Sequence, residues 1–494
     1  MLERAQRAEW RREWPWIVAA AIALYFYAPD PALAPSLALL WVIWRFTSVP
    51  DVPPVLPFAL TYQWTQVVAG SWYIALTGRE LPAFYVDGID ETVLIGLGSL
   101  ASLTFGVALG IRLIRAKLAE SSDAFDAFFT LRLLVVVYVG MLLGEGTIQR
   151  LAAETPTLRQ ALVAVQMGRY GVLFLLVRRF SKPQLQIAPI ALLLLNELAL
   201  GFTGFFADFK QPLAVMLLVV LEQFDRRRVS HWAATLGLGV LGLVLATVWL
   251  GVRAEFREDL QRDTSLSSRS ARLERVLELA NAWATLERET ILADIDTLVD
   301  RIWVQYYPAL ALRRVPSALP HSDGTFLTEA LVHVLMPRLF YPEKPGLQPD
   351  SEKVRYYAGV WVAGAAENTS IALGYTTEMY IDFGVPTMYL PIFAYGLVMG
   401  LAFSFFRRVI FVRELAVPLL TVVFWLSLYL YELSFAKMLG DSFTLLAYLG
   451  GLTIVIDRFA SSGRLTTSDQ SYGQAVSNWR AAPLPPSRTA APRQ

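Results

Sequence analysis

Cysteine is absent from the chain, and histidine occurs only at His231, His321 and His333. Disulfides, thiol catalysis and cysteine-held metals are therefore excluded, and three scattered imidazoles make no compact metal-ligand cluster. Charge is scarce as well. Only 17% of the 494 residues are charged, against about 25% in an ordinary soluble domain. The net charge of +1 argues against nucleic acid as the main partner. Soluble-enzyme signatures are also missing. No phosphate-binding glycine loop ends in Lys-Ser/Thr, and no dinucleotide fingerprint or zinc-protease helix motif occurs, so ATP-driven transport by this chain alone is not expected.

What the chain has instead is apolar length. Hydrophobic residues make up 55% of it, and the mean hydropathy is +0.45. A helix needs about 20 apolar residues to cross a bilayer core. Runs of roughly that kind fall at 14–28, 31–46, 56–77, 92–111, 128–148, 160–178, 185–201, 211–225, 232–252, 384–406, 415–432 and 441–457. The expected fold is all-α, a polytopic membrane protein of about twelve spans. Its parts are N-terminal spans over 1–252, a long loop over 253–383, C-terminal spans over 384–457 and a disordered tail over 458–494.

Lys and Arg flanking the spans set the orientation. Arg4, Arg7, Arg11 and Arg12 precede the first run. Arg112, Arg115 and Lys117, then Arg178, Arg179 and Lys182, then Arg226 to Arg228, then Arg407, Arg408 and Arg413, and finally Arg458 follow later ones. With alternating spans all of them lie on one side, which is expected to be the cytoplasm and to hold both termini. The long loop then lies outside.

That loop has helical periodicity. Apolar residues recur at three-and-four spacing among charges from Ser267 to Tyr307, with Ser267 or Ser268 as N-cap. The stretch "TFLTEALVHVLMPRLFYP" is apolar for only about a dozen residues, which suits a re-entrant or interfacial helix better than a span.

Cations gather on the outer side: Lys210, Arg253, Arg257, Arg338, Lys344 and Arg355. Cytoplasmic retention does not account for them. Snorkelling, or pairing with Glu255, Glu258 and Glu343, is one reading. As a set they suit an anionic phosphate, because guanidinium grips phosphate oxygens with two hydrogen bonds. Glu378, just before the run at 384, and His333, one turn before Arg338, are the candidate bases. Arg169 and Glu197 fall inside runs, where ionisable groups pair or line a wet cavity. Trp303, Tyr306, Tyr307, Tyr356, Tyr357 and Trp361 are candidate sugar-stacking platforms.

The stretch "PHSDGTFLTEALVHVLMPRLFYPEKP" resembles the extracytoplasmic segment of bacterial O-antigen polymerases, the Wzy-type repeat-unit polymerases. Matching positions are Gly324, Pro337, Arg338, Pro342, Lys344 and Pro345. "GFFADFK" is similar to a family element placing Lys210, and "AEFRED" to one placing Arg257. "ALGYTTEMYIDFG" is similar to one placing Glu378, Tyr380, Phe383 and Gly384, although Asp382 stands where an uncharged residue is expected. The likeness covers residues 200–400.

The resemblance implies metal-independent polymerisation of undecaprenyl-pyrophosphate-linked oligosaccharides at the periplasmic face of the inner membrane. Arg and Lys hold the pyrophosphate, and no cofactor is needed. Donor and acceptor lipids are the implied partners, and a chain-length regulator and a flippase are candidates. An O-antigen ligase, a glycan or lipid transporter such as a flippase, and an inert assembly protein stay open as alternatives.

Overall fold

The structure is a computed structural model. It describes residues 15–461 except 27–29, 115, 117, 119–128, 156, 183–184, 204–208, 226, 263–265, 267, 337–339, 342, 345 and 368. Arg338, Pro337, Pro342 and Pro345 of the motif, Ser267, the basic residues before 15 and at 115, 117 and 226, and the tail beyond 461 thus lie outside the described residues.

Every element is a helix and no strand occurs among the described residues. Each of the twelve apolar runs folds as a helix. The first nine are α1 (Pro15–Phe26), α2 (Leu33–Thr47), α3 (Val55–Thr77), α4 (Ile89–Leu113), α5 (Leu131–Glu154), α6 (Arg159–Ser181), α7 (Ile187–Phe202), α8 (Lys210–Glu222) and α9 (Val229–Arg262). The long intervening segment folds as α10 (Arg269–Ala284), α11 (Arg288–Ile302), α12 (Tyr306–Arg314), α13 (Thr325–Leu335), α14 (Asp350–Tyr357) and α15 (Tyr375–Phe383). The last runs are α16 (Tyr389–Val409), α17 (Arg413–Leu428) and α18 (Phe435–Ser461), the last carrying a π turn at Leu445–Leu449.

Among the described residues six helices, α4, α5, α6, α9, α16 and α18, are long and apolar enough to cross a membrane. The other six runs fall short by length or composition. The 13 residues of α8 reach only about 20 Å at 1.5 Å per residue. α3 is long enough but is diluted by Gln63, Gln66 and several Trp and Tyr side chains.

Where apolar side chains find no protein partner, they mark the lipid-facing surface. Of the 24 residues of α5, only Leu134, Tyr138 and Ala152 are buried, while Val136 and Leu143 stand exposed. A contiguous apolar face of that kind is unfavourable in water and neutral in hydrocarbon. In contrast, α4 and α16 pack backbone to backbone. Gly106 and Gly110 face Gly396 and Gly400, and a Cβ at Gly106 would run into the Phe393 carbonyl. Two small residues four apart on each helix let the backbones approach this closely.

One boundary differs from the sequence expectation. α9 does not stop at residue 252 but continues without a break to Arg262, 34 residues in all. That is about 50 Å, against about 30 Å of hydrocarbon. Counted from Val229, the helix clears such a core near Gly251. Arg253 and Arg257 therefore ride on a rigid helical extension and not on a loop.

Likewise, the amphipathic stretch from Ser267 is two helices, broken at Thr285 to Glu287. Ser268 does cap the first, its side chain accepting a hydrogen bond from the Ala271 amide.

Candidate cation-lined cavity

A cavity of about 960 Å³ opens where the helices diverge. Its walls come from α3 (Phe58, Tyr62, Gln66), α5 and α6 (Glu145, Arg169, Tyr170), the start of α8, the second half of α9, the end of α11 and the end of α17.

Packing sets each cation in that wall. Lys210 is the first residue of α8, and its ammonium sits 5.4 Å from the centre of the Tyr429 ring. The neighbouring Gln211 pins the helix start: its amide donates to the Tyr429 hydroxyl (2.8 Å) and its carbonyl accepts from the Trp425 indole (2.6 Å). Arg253 and Arg257 are four residues apart on α9, hence on one face. Just before them Gly251 lets the Trp283 indole of α10 press against the α9 backbone, a space that a Cβ would close.

Arg301 comes from α11 together with Leu298 and Ile302. The bidentate Arg79–Asp296 ion pair (closest approach 2.5 Å) and the Tyr73 hydroxyl donating to Asp296 (2.6 Å) tie α11 to the end of α3. Burial of Trp303 completes that junction, its indole donating to the Val67 carbonyl (2.8 Å) in space left by Gly70. Among the described residues, no hydrogen bond or ion pair engages Arg253 or Arg301, so their charge faces the cavity.

On the α5 and α6 side, the charged wall residues Arg169 and Glu145 are paired. Arg169 lies 3.5 Å from Glu197 and 4.0 Å from Glu145. Glu197 also accepts from the Tyr138 hydroxyl (2.6 Å), and Glu145 takes Arg269 of α10 at 3.1 Å. The two intramembrane charges thus pair with each other, and Arg169 reaches the cavity edge. Below the cations, Leu213, Leu217, Leu238, Gly239, Gly242, Leu243 and Ala246 form an apolar wall between α8 and α9.

Of the cations expected from sequence, the fold brings Lys210, Arg253 and Arg257 together and leaves Lys344 and Arg355 outside this lining. The Lys344 ammonium is buried against the C-terminal carbonyls of α13, donating to His333 and Met336. His333 is half-buried on α13, also outside the cavity. Arg355 donates to the Val362 carbonyl (2.6 Å) and lies 5.6 Å from the Trp361 ring centre. Tyr356 and Trp361 are exposed, and Tyr357 packs beside Phe326. Trp303, by contrast, is 1% exposed, so its faces are closed to any sugar.

Glu378 is 1% exposed, takes Lys353 at 3.1 Å and accepts from the Phe435 amide at 2.6 Å. Burial pushes its carboxyl up from the ordinary range, against the pull of Lys353. Asp382 has a structural explanation. Its carboxylate accepts from the amides of Phe326 (3.1 Å) and Leu327 (2.8 Å), capping α13 from a distant element.

Three charged wall residues carry no sequence expectation: Glu145, Arg301 and Glu432. Arg301 was legible in principle, as a cation on the Leu298–Ile302 face of an amphipathic helix. Glu432 had no such signal.

The class defined by this fold is an all-helical membrane protein with a cation-lined cavity. Residues 108–405, more than half of the chain, match the family described as a domain of unknown function (DUF8712), and the chain belongs to that family. No curated protein and no solved structure matches it.

Proposed function

We propose that the protein polymerises undecaprenyl-pyrophosphate-linked oligosaccharide repeat units at the outer face of a bacterial inner membrane. The observation that carries this reading is the union of two surfaces in one cavity. Lys210, Arg253, Arg257 and Arg301 surround a polar mouth, and an apolar wall runs down between α8 and α9. Such a cavity fits an amphipathic anion, with pyrophosphate among the cations and a hydrocarbon tail along the wall.

Orientation supports it. Arg178 pairs with Glu222 at the C-terminal end of α8 (2.9 Å), the end away from Lys210. The basic groups at Arg178, Arg179, Arg407 and Arg408 all close the last turns of their helices. If those ends are cytoplasmic, as the basic-residue bias requires, the cavity opens on the other side. A twelve-span topology, with the six shorter or more polar helices completing the bundle, belongs to the same reading. So does the order of the motif elements, from Lys210 through Arg257 to Glu378.

In the chemistry, the anomeric carbon of the donor leaves pyrophosphate and joins an acceptor hydroxyl. Negative charge grows on the leaving phosphate, and preorganised cations stabilise it without reorganising. Lys210 and the three arginines stand where that charge would be held.

The test is complementation of a deletion strain by Arg253→Ala and Arg301→Ala, read as glycan length on the lipid carrier. A polymerase defect leaves single repeat units, whereas a ligase defect leaves long chains on the carrier. The expected outcome is loss of long chains, with linkage formation in vitro down about 10²–10³-fold per arginine. Long chains from both variants at normal protein levels would overturn the assignment.

A further inference from the structure

The cavity contains a carboxylate that the sequence motifs do not indicate. Glu432 lies in the short connection between α17 and α18, is exposed, and lines the cavity beside Tyr429 and Leu430. Among the described residues no ion pair or hydrogen bond engages its side chain. This is a different situation from Glu378, which is sealed against Lys353.

The connection that carries Glu432 is held at four points. The Leu428 carbonyl accepts from the Gln63 amide (2.7 Å), and the Tyr431 amide donates to Gln66 Oε1 (2.7 Å). The Phe435 amide donates to Glu378 Oε2 (2.6 Å). Gly374, at φ +88, brings the start of α15 against the Tyr431 carbonyl and the Glu432 Cα, where a side chain would push the connection away. Two helices and the buried Glu378–Lys353 pair thus fix a segment only six residues long between α17 and α18. That anchoring fixes the backbone on either side of the solvent-facing Glu432, whereas connecting loops are ordinarily more mobile than the elements they join.

From this placement we infer that Glu432 is the acceptor-activating carboxylate of the cavity, and that Glu378 is a positioning residue acting through the Phe435 amide. The inference rests on the polymerase reading of the cavity. In the step, the acceptor hydroxyl gives its proton to the Glu432 carboxylate as its oxygen bonds to the donor's anomeric carbon. The bond from that carbon to the phosphate oxygen breaks, and its electron pair leaves with undecaprenyl pyrophosphate between the cavity cations. No oxidant, reductant or further reactant enters.

The experiment uses the full chain in lipid nanodiscs, with undecaprenyl pyrophosphate as the binding probe. Lipid-linked repeat units extracted from the deletion strain serve as substrate. Glu432→Gln is expected to bind undecaprenyl pyrophosphate as the wild type does, yet to form the linkage about 10²-fold more slowly or worse. Glu432→Asp should recover part of the rate. Wild-type kcat/KM should fall as pH drops and the base takes a proton, and the glutamine variant should lose that limb.

Polymerisation by Glu432→Gln within about threefold of wild type overturns the inference, since a general base is worth far more. Loss of probe binding in step with turnover also overturns it, because that marks a structural role. If the wild type itself binds the probe but links no units, the polymerase reading fails and this inference falls with it. That result is read from the wild type alone, so the two failures stay distinct.

Discussion

Replacing Lys353 by methionine tests the buried pin beneath the cavity most directly. Lys353 is 4% exposed and Glu378 1%, and they meet at 3.1 Å. Removing one member of a buried pair strands the other charge, which costs about 3–5 kcal/mol. The stranded carboxylate has a partial escape. Burial already raises its folded-state pKa above the ordinary value, so protonation relieves the penalty. A raised acid favours the folded state when protonated. That contribution is fully present below the unfolded carboxylate value, about 4.3, and is lost as pH rises through the folded value.

Lys353→Met should therefore be near wild-type stability at low pH and increasingly destabilised toward neutrality. Glu378→Gln in the same background removes the charge yet keeps an acceptor for the Phe435 amide, and should restore most of the loss at neutral pH. Unfolding of the detergent-solubilised protein by intrinsic tryptophan fluorescence, followed from pH 4 to pH 8, reads all three proteins. If Lys353→Met shows no pH-dependent loss, the pair does not hold the structure. If Glu378→Gln alone abolishes activity at unchanged stability, Glu378 acts chemically and the positioning argument is wrong.

Two further outcomes follow from packing and charge. Gly400→Leu should prevent α4 and α16 from assembling, because the added side chain meets the Val107 carbonyl, a backbone atom that cannot swing aside. Loss of folded protein in membrane extracts checks this. At the junction of α3 and α11, hydrogen bonding from Arg79 holds the Asp296 carboxyl below the ordinary range. A depressed acid contributes stability above its unfolded value and loses it as pH falls through the folded one. The stability difference between wild type and Asp296→Asn should therefore be small, the pair being partly exposed, and should shrink further as pH falls below about 4.

The helices were readable because their cause is local. Every apolar run became one, and Ser268 capped the helix it preceded, since periodicity and capping act within a few residues. The pairing of Arg169 with Glu197 was readable too, because two scarce charges in apolar runs have few alternatives. How far α9 ran was not. Nothing in "GVRAEFREDLQR" ends a helix, and polar residues mark the end of an apolar run without ending the helix itself.

Charge roles were legible by type but not by destination. The residues themselves determined an all-helical chain, apolar faces too extensive for water, and a set of cations suited to an anion. Only the tertiary structure decided which cations meet. Lys344 was drawn to the carbonyl end of α13, and Arg355 to the Val362 carbonyl. Lys210, Arg253 and Arg257 were gathered with Arg301 from an amphipathic helix of the long segment. It also sealed the sequence candidate Glu378 against Lys353 and left Glu432, which carried no sequence signal, facing the cavity. The reason is physical. Helix formation depends on neighbours a few residues away, whereas which cations share a cavity depends on how separate helices pack against one another.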